Sequence, residues 1–435
     1  MKPAFVKKLL LSLVSETAKR KDFYSRPESD FSRNRKLTAH GLIELILSMG
    51  GGSLNNELLN FFRFSEKVSS ASAFVQQRSK LSYAAFEYLF QRFSKELDQK
   101  KYHFGYRLFA VDGSDLHTPT DPTDTASFFP NTNGNKPYNL IHINALYDLL
   151  SHTYREVLVQ KGKGDENGAV IEMMRRSQDD NVLLIADRHY ESYNLIANAQ
   201  EKGWKFLIRA KDPSHDGGIT KVLDVPKTES FDKFFMLNLC RSTTKAAKQL
   251  PNYKWLNTGT RLDFLPQHVD KAHPDTHYSV SFRVVRFKIT DDSYETVLTN
   301  LPEHSFPPDK LKELYAMRWG IETSFRDLKH TMGLLHFHSK KAEFVLQEVF
   351  AALVMYNYAE AVTQCIVVRN TAKKYLYQVN FSQAVYICVQ LFRSNISPPK
   401  AEALISKYIV PIRPDRHRPR NPTNKPIVSF LYRVA

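Results

Sequence analysis

Cysteine is scarce in this chain, and so are the apolar runs that would place it in a membrane. Its 435 residues include three cysteines, Cys240, Cys365 and Cys388, and no CxxC pair. Such usage excludes a disulfide-stapled fold and a cysteine-rich zinc site, and it favours a reducing compartment. No apolar run reaches the ~18 residues that a transmembrane helix needs. We therefore expect a cytoplasmic protein with no membrane partner.

The sequence also lacks the motifs of several common enzyme classes. The segment Gly162-Lys163-Gly164 has neither the spacing nor the Ser/Thr of a P-loop. No HExxH zinc motif and no GxSxG nucleophile motif occurs. These absences remove P-loop, zincin and serine-hydrolase chemistry, so any active site has to be built from other residues.

Positive charge is abundant and lies mainly at the two ends of the chain. The net charge is +16, from 61 basic and 45 acidic residues. Residues 1–40 carry ten Lys/Arg against four Asp/Glu, and residues 395–435 carry eight against two. Basic ends around a balanced middle indicate a polyanionic partner, of which DNA is the obvious one. A protein with solvated basic tails would have the same composition.

The order of hydrophobic patterns predicts an α/β protein with helical regions at both ends. Residues 1–103 are helical in pattern and form a candidate DNA-binding region. Strands and helices alternate over residues 104–202, which indicates a sheet with mixed strand directions. Residues 203–304 are strand-like with polar connections and predict a β-rich insertion. Helices return at 305–340, and residues 341–435 predict a helical region that ends in a basic, proline-rich arm.

Two short segments in the N-terminal region could contact DNA directly. Residues 72–80 form a basic, amide-rich helix candidate, and a second helix candidate follows Ser82. Joined at Lys80-Leu81-Ser82, the pair could form a helix-turn-helix DNA reader. An ordinary helical hairpin would show the same pattern.

Two apolar strands are each followed by an aspartate. Asp112 follows Leu108-Phe-Ala-Val111, and Asp187 follows Val182-Leu-Leu-Ile-Ala186. A carboxylate just past an apolar strand lies at the sheet edge where α/β active sites form. The alternatives are an Asp-Gly turn at 112–113 and a helix cap at 187. Asp115 competes with Asp112, which we favour because it directly ends the apolar run.

A helix predicted after Pro307-Pro308 carries a polar stripe beside its apolar one. At 100° per residue, Tyr315, Arg318, Glu322 and Lys329 fall in a wedge roughly 60° wide. A carboxylate there can hold a metal, while the cations and the phenol can hold phosphate oxygens. A solvated helix with ion pairs from Glu322 to Arg318 and Arg326 is the alternative.

The spacing of Tyr315, Arg318, Glu322 and Lys329 resembles the signature of the insertion-sequence-four (IS-four) family of bacterial DDE transposases. The segments 110–114 and 185–190, around Asp112 and Asp187, resemble that family's two aspartate motifs. His189 is a departure, because the family more often has a small residue there.

The resemblance implies an RNase H-like catalytic core, interrupted by an insertion between Asp187 and Glu322. It implies that Asp112, Asp187 and Glu322 form a metal-binding catalytic triad for two Mg²⁺ ions, for which Mn²⁺ can substitute. It also implies that Tyr315, Arg318 and Lys329 contact DNA phosphates, and we add Arg188 as a candidate contact because it adjoins Asp187.

By resemblance, the expected function is cut-and-paste transposition. The protein would cut double-stranded DNA at the terminal inverted repeats and join the ends to target DNA, working as a homodimer on the DNA. Two other functions stay open. One is a transposase-derived DNA-binding protein without catalysis, and the other is an RNase H-like nuclease without strand transfer.

Overall fold

The computed structural model describes residues 1–33, 35–130, 136–269, 272–290, 293–368 and 375–412. It is a mixed α/β structure with a large central sheet and helical flanks, as the sequence predicts. The basic arm predicted after residue 412 lies outside the described residues. Among those that are described, no helix combines the length and the apolar character needed to cross a membrane.

Thirteen helices are present in the described residues. They are α1 (Pro3–Lys19), α2 (Ala39–Leu47), α3 (Leu54–Phe61), α4 (Ala71–Arg78), α5 (Ala84–Glu96), α6 (Glu166–Arg176), α7 (Tyr193–Lys202), α8 (Lys245–Lys248), α9 (Pro308–Ala316), α10 (Trp319–His330), α11 (Ala342–Thr363), α12 (Phe381–Phe392) and α13 (Pro398–Lys407). Several begin at a side-chain cap, as where the Thr38 hydroxyl accepts a hydrogen bond from the Gly41 amide.

The same residues contain twelve strands. They are β1 (Arg107–Thr118), β2 (Phe128–Phe129), β3 (Tyr138–Asp148), β4 (Thr153–Lys161), β5 (Val182–Ala186), β6 (Lys205–Ala210), β7 (Phe231–Cys240), β8 (Tyr253–Trp255), β9 (His277–Thr290), β10 (Ser293–Thr299), β11 (Tyr377–Val379) and β12 (Ile409–Pro411). The central sheet has the order β2-β3-β1-β5-β6-β10-β9-β7-β8, with β4 paired to β3.

The two faces of the sheet are buried against different helices. Ala110 on β1 and Ile185 on β5 belong to the core that also contains Ile321 and Leu328 of α10. Val111, one residue further along β1, belongs to the opposite core with α6 and α7. Because successive strand residues point to opposite faces, this alternation fixes which side chains can meet α10.

Strand β1 does not end where the sequence predicts. Asp112-Gly113 is not a turn, because β1 continues to Thr118 and pairs antiparallel with β3 throughout. Only its parallel pairing with β5 stops early, at Ala110 opposite Ile185. Long antiparallel partners therefore carry the chain straight through an Asp-Gly pair that favours a turn in isolation.

The segment 203–304 is rich in strands, as predicted, but it does not form a sheet of its own. Its first strand, β6, pairs parallel with β5, and β10 pairs with β6. Strands β9, β7 and β8 then extend the same sheet outward. Because β6 shares the β5 ladder, the segment is continuous with the central sheet, and its start at residue 203 stays a prediction.

Helix α4 does not present its basic residue to solvent. Gln77 and Arg78 are both buried, and the Arg78 guanidinium donates to Gln347 Oε1 at 2.6 Å and to Glu348 Oε1 at 2.8 Å on α11. Helix α5 buries Phe86, among other aromatic residues, in the same core. The helical pair is therefore a packing hairpin at these positions, and Arg78 is not available to DNA.

Candidate active site

Asp112 and Asp187 lie side by side at one edge of the parallel part of the sheet. Ala110 pairs with Ile185, so two residues further on Asp112 of β1 comes beside Asp187, just after β5. Both aspartates share the parity of Ala110 and Ile185, which face α10. The competitor Asp115 has the other parity, and its carboxylate is bound to His142 at 2.6 Å.

The two aspartates have different surroundings. Burial raises the pKa of Asp112 to about 6, with Asp187 and Glu166 adding to the rise and the Gly113 amide and Arg318 opposing it. The Asp187 carboxylate accepts a hydrogen bond from the His189 amide at 2.7 Å and so caps the short 3₁₀ turn at Arg188–Tyr190. Asp187 therefore caps the 3₁₀ turn, as the alternative interpretation expects, and also lies beside Asp112.

The predicted single helix after Pro307 is two helices joined by a tight turn. Amides of Arg318, Gly320 and Ile321 each bond the carbonyl three residues back, which ends α9 and starts α10. The turn buries Arg318, whose guanidinium lies 5.6 Å from the Tyr315 ring and donates to Glu322 Oε1 at 2.6 Å. Tyr315 is also buried, and burial raises its pKa.

The remaining predicted phosphate contacts differ in exposure. Lys329 on α10 is partly buried, and burial lowers its pKa while Asp115 and Asp112 oppose that change. Arg188 is exposed directly after Asp187. Lys329 and Arg318 therefore lie within electrostatic range of Asp112, and Arg188 extends the cationic surface past Asp187.

A buried histidine behind Asp112 was not found from the sequence. His142 on β3 lies between two carboxylates, with Nδ1 2.6 Å from Asp115 and Nε2 3.3 Å from Glu166. A Cβ on Gly113 would come within 2.5 Å of His142 Nε2. The sequence signal was polar His142 and Asn144 at alternate positions of an otherwise apolar strand, which marks a polar strip on one face.

The carboxylates suit a hard cation, although they are not gathered into one cluster. Carboxylate oxygens are preferred Mg²⁺ ligands, and Asp112 beside Asp187 places two of them together. Within the described ranges, no three His, Cys, Asp or Glu side chains are close enough to hold a metal ion jointly. The Glu322 carboxylate is instead held by Arg318. The buried Tyr190 phenol is under the electrostatic influence of Glu166, Asp112 and Asp187, so carboxylates surround this edge.

Together these groups have the chemistry of a phosphodiester site. Two adjacent carboxylates can hold a cation, and the exposed Arg188 and the partly buried Lys329 can hold phosphate oxygens, while the buried Arg318 is paired with Glu322. A third carboxylate, that of Glu322, lies on α10 and forms an ion pair with Arg318.

Comparison with known proteins gives consistent results. The family model for a transposase DDE domain matches residues 103–358, more than half of the chain. Transposase InsG for insertion sequence element IS4, from Escherichia coli (strain K12), is 25% identical over 299 residues, which cover 66% of this chain. The chain therefore spans about three-fifths of that relative's length, 59%.

A solved structure supports the fold. The cryo-EM structure of a piggyBac transposase synaptic complex with hairpin DNA matches with a TM-score of 0.50 at 11% identity. The match covers 91% of this chain and 80% of that one. The structural likeness concerns the fold alone. The matched family model, together with the IS4 relative, places the chain among the DDE transposases, as a member of the IS-four family.

Proposed function

We propose that this protein is the transposase of a bacterial insertion sequence, which cuts DNA at the element's terminal inverted repeats and joins the ends to target DNA. The observation that carries the proposal is the register that brings Asp112 beside Asp187 on the sheet face covered by α10, the helix of Glu322. Parallel strands β1, β5 and β6 with antiparallel β3 and β4 at one side agree with an RNase H-like core.

In this proposal Asp112, Asp187 and Glu322 are the catalytic triad. Two Mg²⁺ ions held there, or Mn²⁺ in their place, would supply activation of the attacking oxygen and stabilisation of the leaving oxygen. The Glu322 carboxylate has to bind both Arg318 and the metal ions. The four-residue spacing keeps the Arg318 guanidinium within reach of this carboxylate.

The cationic groups of the site position the DNA strand. Arg318 and Lys329 lie near Asp112, where a phosphate bound to both would present its phosphorus to the triad. Arg188 contacts the next phosphate past Asp187, and Tyr315 is a further phosphate contact whose ring lies 5.6 Å from the Arg318 guanidinium. Charge-assisted contacts of this kind fix the scissile bond in line for displacement.

The proposed partner is double-stranded DNA, first the element ends and then the target, bound by a homodimer in the cytoplasm of a bacterium. The net charge of +16 supports such a partner. The exposed Arg26, Arg33, Arg35 and Lys36 of the N-terminal region are candidates for recognition of the repeats. Binding should weaken steeply as salt rises, because each neutralised phosphate releases counterions.

The test is cleavage of a plasmid that carries the two ends flanking the gene, in the presence of Mg²⁺. Wild type should cut at the ends, and Glu322→Gln should lose about 100-fold or more in rate, because a carboxylate of the triad is replaced by an amide. Glu303→Gln, at an exposed acid outside the site, is the matched control and should cut like wild type.

The same assay separates the other two functions. Salt-sensitive binding to the ends without cutting, by wild type and Glu322→Gln alike, would mean a DNA-binding relative without catalysis. Cutting without capture of a target plasmid would mean a nuclease without strand transfer.

A further inference from the structure

A large cavity lies at the far end of α10, away from Asp112 and Asp187. It has a volume of about 620 Å³ and is bounded by the end of α2, by α3 with the turn after it, by α12, and by Thr331 and Met332. The turn after α10 is fixed to the cavity wall, since a Cβ on Gly333 would lie 3.2 Å from the Gly51 amide nitrogen. The cavity is therefore coupled to the helix that carries Glu322.

Strained backbone borders this cavity on two sides. Arg63 and Phe64 have φ angles of 53° and 58°, and Ser394 on the facing segment has 58°. Left-handed conformations are unfavourable for such residues, and they concentrate at functional sites. Phe64 is also 73% exposed, so neither its backbone nor its side chain is placed there by burial in the core.

The lining combines cations, aromatic rings and amides. Arg393 donates to the Ser48 carbonyl at 2.9 Å, while its buried Nε has no hydrogen-bond partner among the described residues. Arg63 donates to the Arg393 carbonyl at 3.3 Å. Tyr386 on α12 is 66% exposed. The lining also includes the amides of Asn60, Gln390 and Asn395, and Glu57 is its one acid among the described residues.

This is the chemistry by which proteins hold single-stranded nucleic acid. Aromatic rings stack on bases, arginines hold phosphates, and amides bond base edges. Glu57 lies 3.9 Å from Arg393, so their charges compensate each other. The charge of Arg63 remains, and the lining therefore has a net positive charge.

We propose that this cavity binds an unpaired nucleotide of the DNA strand that passes through the active site. The inference rests on the proposed function, since it takes the DNA strand to be the substrate of the triad. Thr331, directly after α10, follows Glu322 by nine residue steps, which is about 14 Å of helical rise. That distance corresponds to about four nucleotides of a B-form strand. Phe64 and Tyr386 contact the base, and Arg63 and Arg393 hold its phosphate.

The test measures the affinity of the full chain for two probes, a short fluorescein-labelled oligodeoxythymidine and a blunt duplex of the gene's flanking end. Phe64→Ala and Tyr386→Ala should each weaken oligodeoxythymidine binding by about tenfold, because one stacking surface is lost. Duplex binding should stay unchanged. The exposed Phe5 and Tyr408 lie outside the cavity, so Phe5→Ala and Tyr408→Ala are matched controls that should bind both probes like wild type.

A direct readout locates the contact. Oligonucleotides carrying 5-iododeoxyuridine should photo-crosslink to the peptides that contain Tyr386 or Phe64, and the crosslink should vanish in the corresponding alanine variant. The inference is overturned if wild type does not bind the oligonucleotide, or if both cavity variants bind it like wild type. It is also overturned if Tyr386→Ala changes only the oligomeric state, which would make the cavity a contact between protein copies.

Failure of this inference can be told apart from failure of the proposed function. Plasmid cleavage by wild type is scored in parallel. If wild type cuts at the ends and the cavity variants bind the oligonucleotide like wild type, the nucleotide site is contradicted and the proposed function is not. Loss of binding in those variants, with no cutting by wild type, would leave a nucleotide site in a protein without transposase activity.

Discussion

At the scale of single residues, His142 connects the strand of Asp112 to the start of α6. Its ring bonds Asp115 of β1 on one side and Glu166 of α6 on the other. The glycine that follows Asp112 leaves just enough room for the ring. Asp112 is therefore held by a contact on the opposite face of the sheet from α10, and a disturbance of His142 reaches the site through the backbone.

The His142 contacts should make folding stability depend on pH. Burial alone would lower the pKa of His142, but the hydrogen bonds to Asp115 and Glu166 outweigh it and raise the pKa to about 9. Because the folded pKa lies above the unfolded one, this stabilisation is complete below pH ~6.5 and is lost as pH rises through about 9. After allowance for the exposed Asp115, we expect about 1–2 kcal/mol. Urea unfolding of wild type and His142→Asn over this pH range measures it, and a constant difference would contradict the ion pairs.

A methyl group at Gly113 should damage the site more than one on a distant loop. The added Cβ would meet His142 and the Glu166 carboxylate at 2.5 and 2.6 Å, so the ring and the start of α6 have to move. We expect Gly113→Ala to destabilise folding by about 1–3 kcal/mol and to slow plasmid cleavage. Gly259→Ala is the control, because its Cβ would meet only an ordinary contact at 3.5 Å. Equal cleavage by the two variants would contradict the role of this close packing.

The sequence indicates the candidate site residues but not the side chains that support them. Asp112, Asp187 and Glu322 were chosen from strand ends and helical spacing, and that choice stays a prediction until cleavage is measured. The sequence favours Asp112 over Asp115 because Asp112 ends an apolar run, but β1 itself continues to Thr118. The register with β3 and β5 separates the two aspartates, and a register between distant strands is invisible in a single sequence.

At the scale of elements, a buried hydrogen bond joins the helix α10 to the sheet, in addition to the apolar packing of Ile321 and Leu328. The Tyr154 hydroxyl on β4 lies 2.7 Å from the Ser324 hydroxyl, two residues after Glu322. Ser324 also bonds the Ile321 carbonyl, so its own group stays satisfied if the phenol is removed. The position of Glu322 on the sheet therefore depends on contacts on the buried side of α10.

Removing the Tyr154 hydroxyl should cost little stability but loosen α10. We expect Tyr154→Phe to lower the unfolding free energy by about 0.5–1.5 kcal/mol, the net value of one hydrogen bond. Faster hydrogen exchange of the α10 amides measures the loosening. Tyr102→Phe, at an exposed tyrosine, should change neither quantity. Unchanged exchange in Tyr154→Phe would show that apolar packing alone holds α10.

The types of the elements could be predicted from the sequence, but the turns that connect or divide them could not. The strands β3 and β4 and the helices α6 and α7 occur where their patterns indicate. The continuous helix predicted after Pro307 is instead two helices, because the turn at Met317–Ile321 tightens to bonds three residues apart. The turn buries Arg318 next to Glu322, which a uniform 100° spacing does not predict.

At the scale of the whole molecule, the N-terminal helical region is built into the core around α11. Helices α1, α2 and α5 all pack against α11, and residues of all four belong to one hydrophobic core. The sequence predicts a helical DNA-binding region over residues 1–103, and charge and local pattern carry no information on what α4 and α5 contact. The structure joins this region to α11 through buried polar groups of Arg78, Gln347 and Glu348.

Removing Arg78 should therefore unfold the N-terminal region and the core together. Its guanidinium donates to Gln347, Glu348 and the Phe344 carbonyl, so Arg78→Leu leaves the Glu348 carboxylate buried with only His338 as a charged partner. Breaking a buried pair from one side costs about 3–5 kcal/mol.

Two probes reveal whether the regions unfold together. The tryptophan fluorescence, which comes from Trp204 in the sheet core and from Trp255 and Trp319, and the far-UV circular dichroism of the helices should shift to a lower denaturant midpoint in parallel. Arg92→Leu removes only half-exposed ion pairs to Glu16 and Glu96, so we expect a change below about 1 kcal/mol. If Arg78→Leu instead separated the two transitions, the N-terminal helices would be an independent domain after all, and only their docking on α11 would depend on Arg78.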